Sequence, residues 1–337
     1  MKASLMMGMV AVILAAAPGA LGVTIDFVTV GKPGNPSDAS HIVGLGAVDY
    51  EYGIGMYEIT VGQYCEFLNA VAADDDTYGL YADDMWSDDH GCKIQQTGSA
   101  GSYAYTVPDS NRINRPVNYV DWGDAVRFCN WLHNGQPTGD QDLTTTEDGS
   151  YFLDGATSSA ALTAVTRATD ATYVIPSGDE WYKAAYFDPL VAAGAGGYFD
   201  YPTRSNAEPN NVVANPDPGQ NANFKDPCYA IGAPYYTTEV GEFEYTPGPW
   251  GTYDQGGNVY EWTEKIGEGT SRFIYGGAYN GPGWTLSVGG FMFPYPIASE
   301  SSIGFRVAVV PEPGTIALLA VGVLALRRKR RFAARTA

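Results

Sequence analysis

Chemistry needs side chains that bind metals, attack electrophiles or move protons, and this sequence holds few of them in useful patterns. Its four cysteines, Cys65, Cys92, Cys129 and Cys228, show neither CxxC nor Cys/His zinc spacing. Its three histidines, His41, His90 and His133, lie far apart, with no HxxxH pair and no GxSxG elbow. No histidine-rich metal site and no serine hydrolase is therefore expected. The runs Asp74-Asp75-Asp76 and Asp83-Asp84 to Asp88-Asp89 have oxygens enough for calcium, but they read better as solvated acidic loops. Four cysteines allow disulfides in an oxidising compartment, with three pairings open. Cys65 and Cys129 also fall in apolar helical stripes, so buried free thiols are the rival reading.

The elements that must position any site announce themselves by their caps. Thr60-Val61-Gly62-Gln63 and Ser177-Gly178-Asp179-Glu180 fit the capping box, and Asp121-Trp122-Gly123-Asp124 is an acidic variant. Apolar residues follow at helical spacing: Val61, Tyr64, Cys65, Leu68 and Val71 in one stripe, Trp122, Ala125, Cys129 and Leu132 in another. Trp181, Ala184 and Ala185 begin a third helix, and Pro189 stops it. The 41 glycines and 24 tyrosines, with short apolar runs, predict a loop-rich body. Two segments, Asp74 to Asn114 and Gly135 to Asp170, read as insertions, the second as a surface loop or hairpin.

Both ends carry targeting patterns. Residues 1–22 have a basic Lys2, an apolar Leu5 to Ala17 and a small-x-small Ala20-Leu21-Gly22, which predicts a secretory leader. Residues 23–45 read as an N-terminal strand and linker. At the other end, Val310-Pro311-Glu312-Pro313 precedes an apolar run over 315–326 and the basic cluster Arg327-Arg328-Lys329-Arg330-Arg331. The segment 310–337 resembles the PEP-CTERM sorting signal, which implies recognition by exosortase-type machinery, transient or lasting membrane anchoring at 315–326, and a final place in the envelope or outside the cell. Between these ends the chain carries 12 basic groups against 37 acids, a balance of −25. Such a surface repels nucleic acid.

Six blocks in order carry a second resemblance: Met56 to Ala70, Arg115 to Leu132, Tyr173 to Pro189, "GTYDQGGNVYEWTE" from Gly251, "YGGAY" from Tyr275 and "IGFRVA" from Ile303. Residues 46–309 resemble the formylglycine-generating, or sulfatase-modifying factor, family. The resemblance implies an α+β, C-type-lectin-like fold. In the family's enzymes two cysteines follow the Gly-Gly step and bind copper, which oxidises a substrate cysteine. Here Ala278 to Leu286 follow Gly276-Gly277, and no thiol is among them. Copper(I) needs soft sulfur ligands, so copper is not expected.

The resemblance also implies structural calcium. One site would use the Asp254 and Glu261 carboxylates and the Gly257 and Val259 carbonyls, an oxygen set suited to a hard cation. A second would start at Asn223 and Phe224, although the segment downstream, Gly232-Ala233-Pro234, lacks the family's acid. Where the enzymes bind substrate, this chain has Tyr279, Asn280 and Trp284, then Phe291 and Tyr295. Such residues suit recognition of a glycan or peptide. The expectation is an exported binding or structural module; the alternative is an oxidoreductase of the same family acting through other residues, or through a displaced Cys228.

Overall fold

The computed structural model describes residues 22–40 and 44–311. The apolar run 315–326 and residues 1–21 of the leader lie outside that span. No helix among the described residues is long and apolar enough to cross a membrane.

Two four-stranded sheets frame the molecule. The first joins the ends of the domain: β1 (Phe27–Val30), β2 (Tyr52–Gly55), β12 (Ala308–Val309) and β5 (Tyr173–Val174) lie in the order β1-β2-β12-β5, all antiparallel. The second has the order β10-β9-β8-β11, from β8 (Tyr260–Ile266), β9 (Arg272–Tyr275), β10 (Phe291–Met292) and β11 (Ile303–Gly304), with only β11 parallel to its neighbour. Two hairpins stand apart, β3 (Gln95–Thr97) with β4 (Ala104–Thr106) and β6 (Phe187–Asp188) with β7 (Gly197–Tyr198).

Three helices pack on these strands, one against β5, one against β8 and one against β4, and each starts as its sequence predicts. In α1 (Val61–Val71), Thr60 Oγ1 accepts from Gln63 N, while Gln63 Oε1 accepts from Thr60 N. The same reciprocal pair opens α3 (Trp122–His133) through Asp121 and Asp124, and α5 (Gly178–Tyr186) through Ser177 and Glu180. Each pair satisfies two N–H groups that a helix start otherwise leaves bare. Helices α1 and α3 meet through Phe67, whose ring lies 5.3 Å from both Phe128 and Trp131. Short helices α2 (Asp84–Ser87) and α4 (Ser159–Ala164) lie in the two insertions.

The second insertion is loop over most of its length, as expected, but the stretch 145–153 is largely buried. All of Trp122 to Leu132 is buried, not only the predicted stripe. The outer face of α3 is covered because Thr146, Glu147, Ser150, Tyr151 and Leu153 fold against it. Arg127 forms a bidentate pair with Glu147, at 2.6 and 3.1 Å, and Asn130 bonds the backbone of Thr146 and Tyr151. The polar groups of this loop also satisfy polar residues on the buried helix. In the first insertion the Asp76 carboxylate accepts from the Leu80 and Tyr81 amides, and Asp88 accepts from His90 N. Those acids cap turns.

Candidate functional site

The segment 252–261 forms a tight turn that leads into β8. Asp254, Gly257 and Asn258 all have positive φ, at 57°, 97° and 54°. A Cβ on Gly257 would lie 2.4 Å from the Asn223 carbonyl, so only glycine fits there. That close approach lets Asn258 N donate to Asn223 O at 2.9 Å, and Tyr279 N to Asn258 O at 2.9 Å. The turn thus ties the Asn223 segment to the stretch after Gly277.

The carboxylates of this turn behave differently from one another. Glu261 is fully buried and already partnered. Its Oε2 accepts from Arg306 Nε and Trp181 Nε1, both at 2.6 Å, and its Oε1 accepts from Arg306 Nη2 at 2.6 Å. Arg306 also donates to the carbonyls of Gly55 and Tyr253. Asp254 Oδ2 accepts from Gly241 N at 2.6 Å. Burial raises the Asp254 carboxyl to about 6, against the lowering pull of the Gly241 N–H and of Arg306. A third carboxylate, Glu58, belongs to the same cluster, and no site was assigned to it from sequence. It is 2 % exposed, and neither of its oxygens meets a side-chain donor. Burial, then the Asp254 charge, pushes its carboxyl well above the usual range, with Arg306 opposing. The signal that could have found Glu58 is an acid set among Ile54, Met56, Tyr57 and Ile59.

Other orphaned polar atoms surround the turn. Asn223 Oδ1, Asn258 Nδ2 and Thr203 Oγ1 are buried without partners. Thr203, Asn221, Thr252, Asp254 and Gln255 line a cavity of about 10 Å³, roughly the room one water needs. Among the described residues, no three His, Cys, Asp or Glu side chains converge to hold a metal. Of the implied ligand carboxylates, both Glu261 oxygens are taken by Arg306 and Trp181, and Asp254 Oδ2 by Gly241 N, so the oxygens left for a hard cation are Asp254 Oδ1, amide and carbonyl oxygens and water. Asn223 Oδ1 is the orphan at the second implied site. Phe224 is buried at that site, and its carbonyl accepts from Asn211.

The expected recognition residues divide. Tyr279 is 1 % exposed, beneath His90, Tyr229 and Tyr236, with ring centroids 5.9–6.2 Å away. Phe291 packs on Phe273 at 5.1 Å. Asn280 is exposed, and Trp284 and Tyr295 are each 62 % exposed. Thus two large aromatics face solvent and two are structural. All four thiols are free. Cys65, Cys92 and Cys129 lie in the main hydrophobic core, while Cys228 is exposed. The Cys228 segment runs beside the stretch after Gly277, since Lys225 N donates to Gly281 O at 2.9 Å.

The geometry is matched by comparison with known proteins. A crystal structure of CarF superposes with a TM-score of 0.56 at 21 % identity, covering 86 % of this chain and 99 % of that one. Treponema denticola variable protein 1 gives 0.50 at 19 % identity, covering 85 % and 95 %. At that identity the likeness shows the fold alone. No curated protein matches the chain. The PEP-CTERM protein-sorting motif matches residues 309–331, which marks the chain for export and for recognition by exosortase sorting machinery. The sulfatase-modifying factor enzyme 1-like domain model matches residues 46–310, and the chain belongs to that family.

Proposed function

We propose that this chain is a binding module, exported and held at the envelope or outside the cell, whose domain is stabilised by calcium and does not perform copper-dependent oxidation. The observation that carries the reading is the separation of the thiols. Residues 278–286 contain none. Cys228 is exposed at the surface while the other three are in the core. A copper(I) centre needs paired soft ligands. Calcium would be held by carboxylate and amide oxygens of the 252–261 turn and would supply positive charge where buried carboxylates exceed their cationic partners. Glycan or peptide recognition would use Trp284, Tyr295 and the polar residues near Asn280, because exposed rigid aromatics bind with little loss of side-chain entropy.

The test is binding to glycan and peptide arrays by the purified chain, with W284A and Y295A alongside. Retained ligands that either substitution abolishes support the module. The hydrogen bond from Lys225, three residues before the exposed Cys228, to Gly281 favours the second reading, an oxidoreductase acting through that thiol. Copper-dependent oxidation of a cysteine peptide, lost in C228S, would establish it and overturn the first.

A further inference from the structure

We infer that Trp284 and Glu208 form a binding site for neutral sugars, in which the indole supplies a stacking face and the carboxylate accepts from hydroxyl groups. The inference rests on the reading of the chain as a binding module and names the ligand class of the site around Asn280 and Trp284.

The chain is built to hold Trp284 outward. It belongs to a 3₁₀ turn over Gly283–Leu286 in which Gly283, Thr285 and Leu286 are buried and Trp284 is 62 % exposed. Leu286 packs with Ala222 and Phe224, and its carbonyl accepts from the Tyr186 hydroxyl. Thr285 Oγ1 donates to Pro282 O at 2.7 Å, and Ser287 Oγ to Trp284 O at 2.8 Å. With the turn pinned on both sides, the indole stays in water and forgoes the burial that drives large apolar side chains inward. A rigid ring held this way loses little freedom when a ligand covers it.

A carboxylate stands beside it. A Cβ on Gly283 would collide with Glu208 Oε1, so the exposed Glu208 side chain lies against the residue before Trp284. Tyr201 donates to Glu208 Oε2 at 3.4 Å, and Tyr201 itself packs on the Leu286 cluster. A carboxylate has about four acceptor sites, and the tyrosine occupies one.

The ligand class follows from what the loop offers. Its backbone is spent internally: Gly281 N donates to Ala278 O, Thr285 N to Pro282 O, Ser287 N to Trp284 O and Gly290 N to Ser287 O, while Gly281 O accepts from Lys225 N. A peptide strand therefore finds few main-chain partners here. What remains is an apolar ring, the acceptors of Glu208 and the exposed Asn280 amide. A sugar matches this set. Its C–H face carries partial positive charge and lies on the negative face of the indole, while its hydroxyls donate to the carboxylate and pair with the amide. A cationic ligand meets the exposed Lys225, bonded through its backbone to the same loop, and an anionic one meets the acidic body.

The test uses the purified full chain and soluble hexamers of glucose, galactose and mannose as probes, read by calorimetry and by quenching of tryptophan fluorescence. At least one hexamer is expected to bind with a Kd of about 1 mM or tighter. W284A should abolish that binding, W284F should retain part of it through its smaller ring, and E208Q should weaken it roughly tenfold. Both side chains are exposed, so thermal unfolding of every variant should match wild type. A basic, an acidic and a neutral peptide are tried alongside. If a hexamer binds W284A and E208Q as tightly as wild type, the Trp284 site is overturned while the binding module stands. If no hexamer binds but a peptide does, the sugar class is overturned and the module again stands. If no probe of either kind binds, both fall.

Discussion

Two networks of carboxylates and arginine, one partly and one fully buried, sit along β8, and they are built to opposite rules. In the first, Arg167 lies between Glu180 and Glu264, bonding Glu180 at 2.8 and 2.9 Å and Glu264 at 2.9 Å. Tyr50 and Ser177 N add donors to Glu180, and Tyr151 adds one to Glu264. In the second, Arg306 and Trp181 bond both oxygens of Glu261, while the Glu58 carboxylate has no side-chain donor. The first network is a finished structural joint, whereas the second is finished on one side only. Hydrogen-bond satisfaction, more than charge, separates scaffold from site.

The largest test of that contrast is removal of each arginine. R306M strands the fully buried Glu261 carboxylate, and a loss of about 3–5 kcal/mol is expected. R167M should cost less, about 2 kcal/mol, because Arg167 is 19 % exposed and tyrosine donors remain on both carboxylates. Urea midpoints of the two variants measure the difference. Equal losses would erase the distinction.

Acid and alkali sharpen it further. Despite complete burial, which alone would raise it, Arg167 holds the Glu180 carboxyl below its ordinary range. A depressed carboxyl stabilises the fold fully above its unfolded pKa, near 4.3. That contribution disappears as pH falls through the folded value. E180Q should therefore flatten the loss of stability below about pH 4.3 in urea titrations. Lys183 is the contrary case, a buried amine whose nearest partner is the Lys32 carbonyl at 3.1 Å. Burial lowers it to about 8. Folding then favours the neutral amine, so its penalty is complete below pH 8 and shrinks as pH rises towards roughly 10.4. K183M should abolish that alkaline rise and leave the protein more stable at pH 7. The smallest effect is expected at the caps. S177A should cost about 1 kcal/mol through α5, slightly more if Glu180 loses its orientation towards Arg167. T60A, at a cap with no such attachment, gives the reference value.

What the sequence disclosed follows the range of the forces involved. The three helix starts were legible because a cap and its partner lie three residues apart, as Thr60 and Gln63 do. The stretch from Gly251 was legible through the family resemblance that its block carries. Arg306 as partner to Glu261, 45 residues away, was not legible, since nothing local tells a buried arginine from an exposed one beyond its apolar neighbours Phe305 and Val307. The burial of 145–153 was not legible for a related reason: its polar residues answer polar residues on α3. Tyr279 and Trp284 look alike in sequence, and only the His90, Tyr229 and Tyr236 stack distinguishes a buried ring from an exposed one.

The last strand of the domain, β12, is not at an edge. It lies between β2 and β5, with Ala308 opposite both Ile54 and Val174 and Val309 opposite Gly53 and Tyr173. Pro311, where the sorting segment takes over, is two residues beyond. Any pull on a tethered tail is therefore delivered to the centre of a sheet and shared by ladders on both sides. The same placement sets a clock: the first sheet closes only after the whole domain has been synthesised and its final strand has been threaded between partners made earlier.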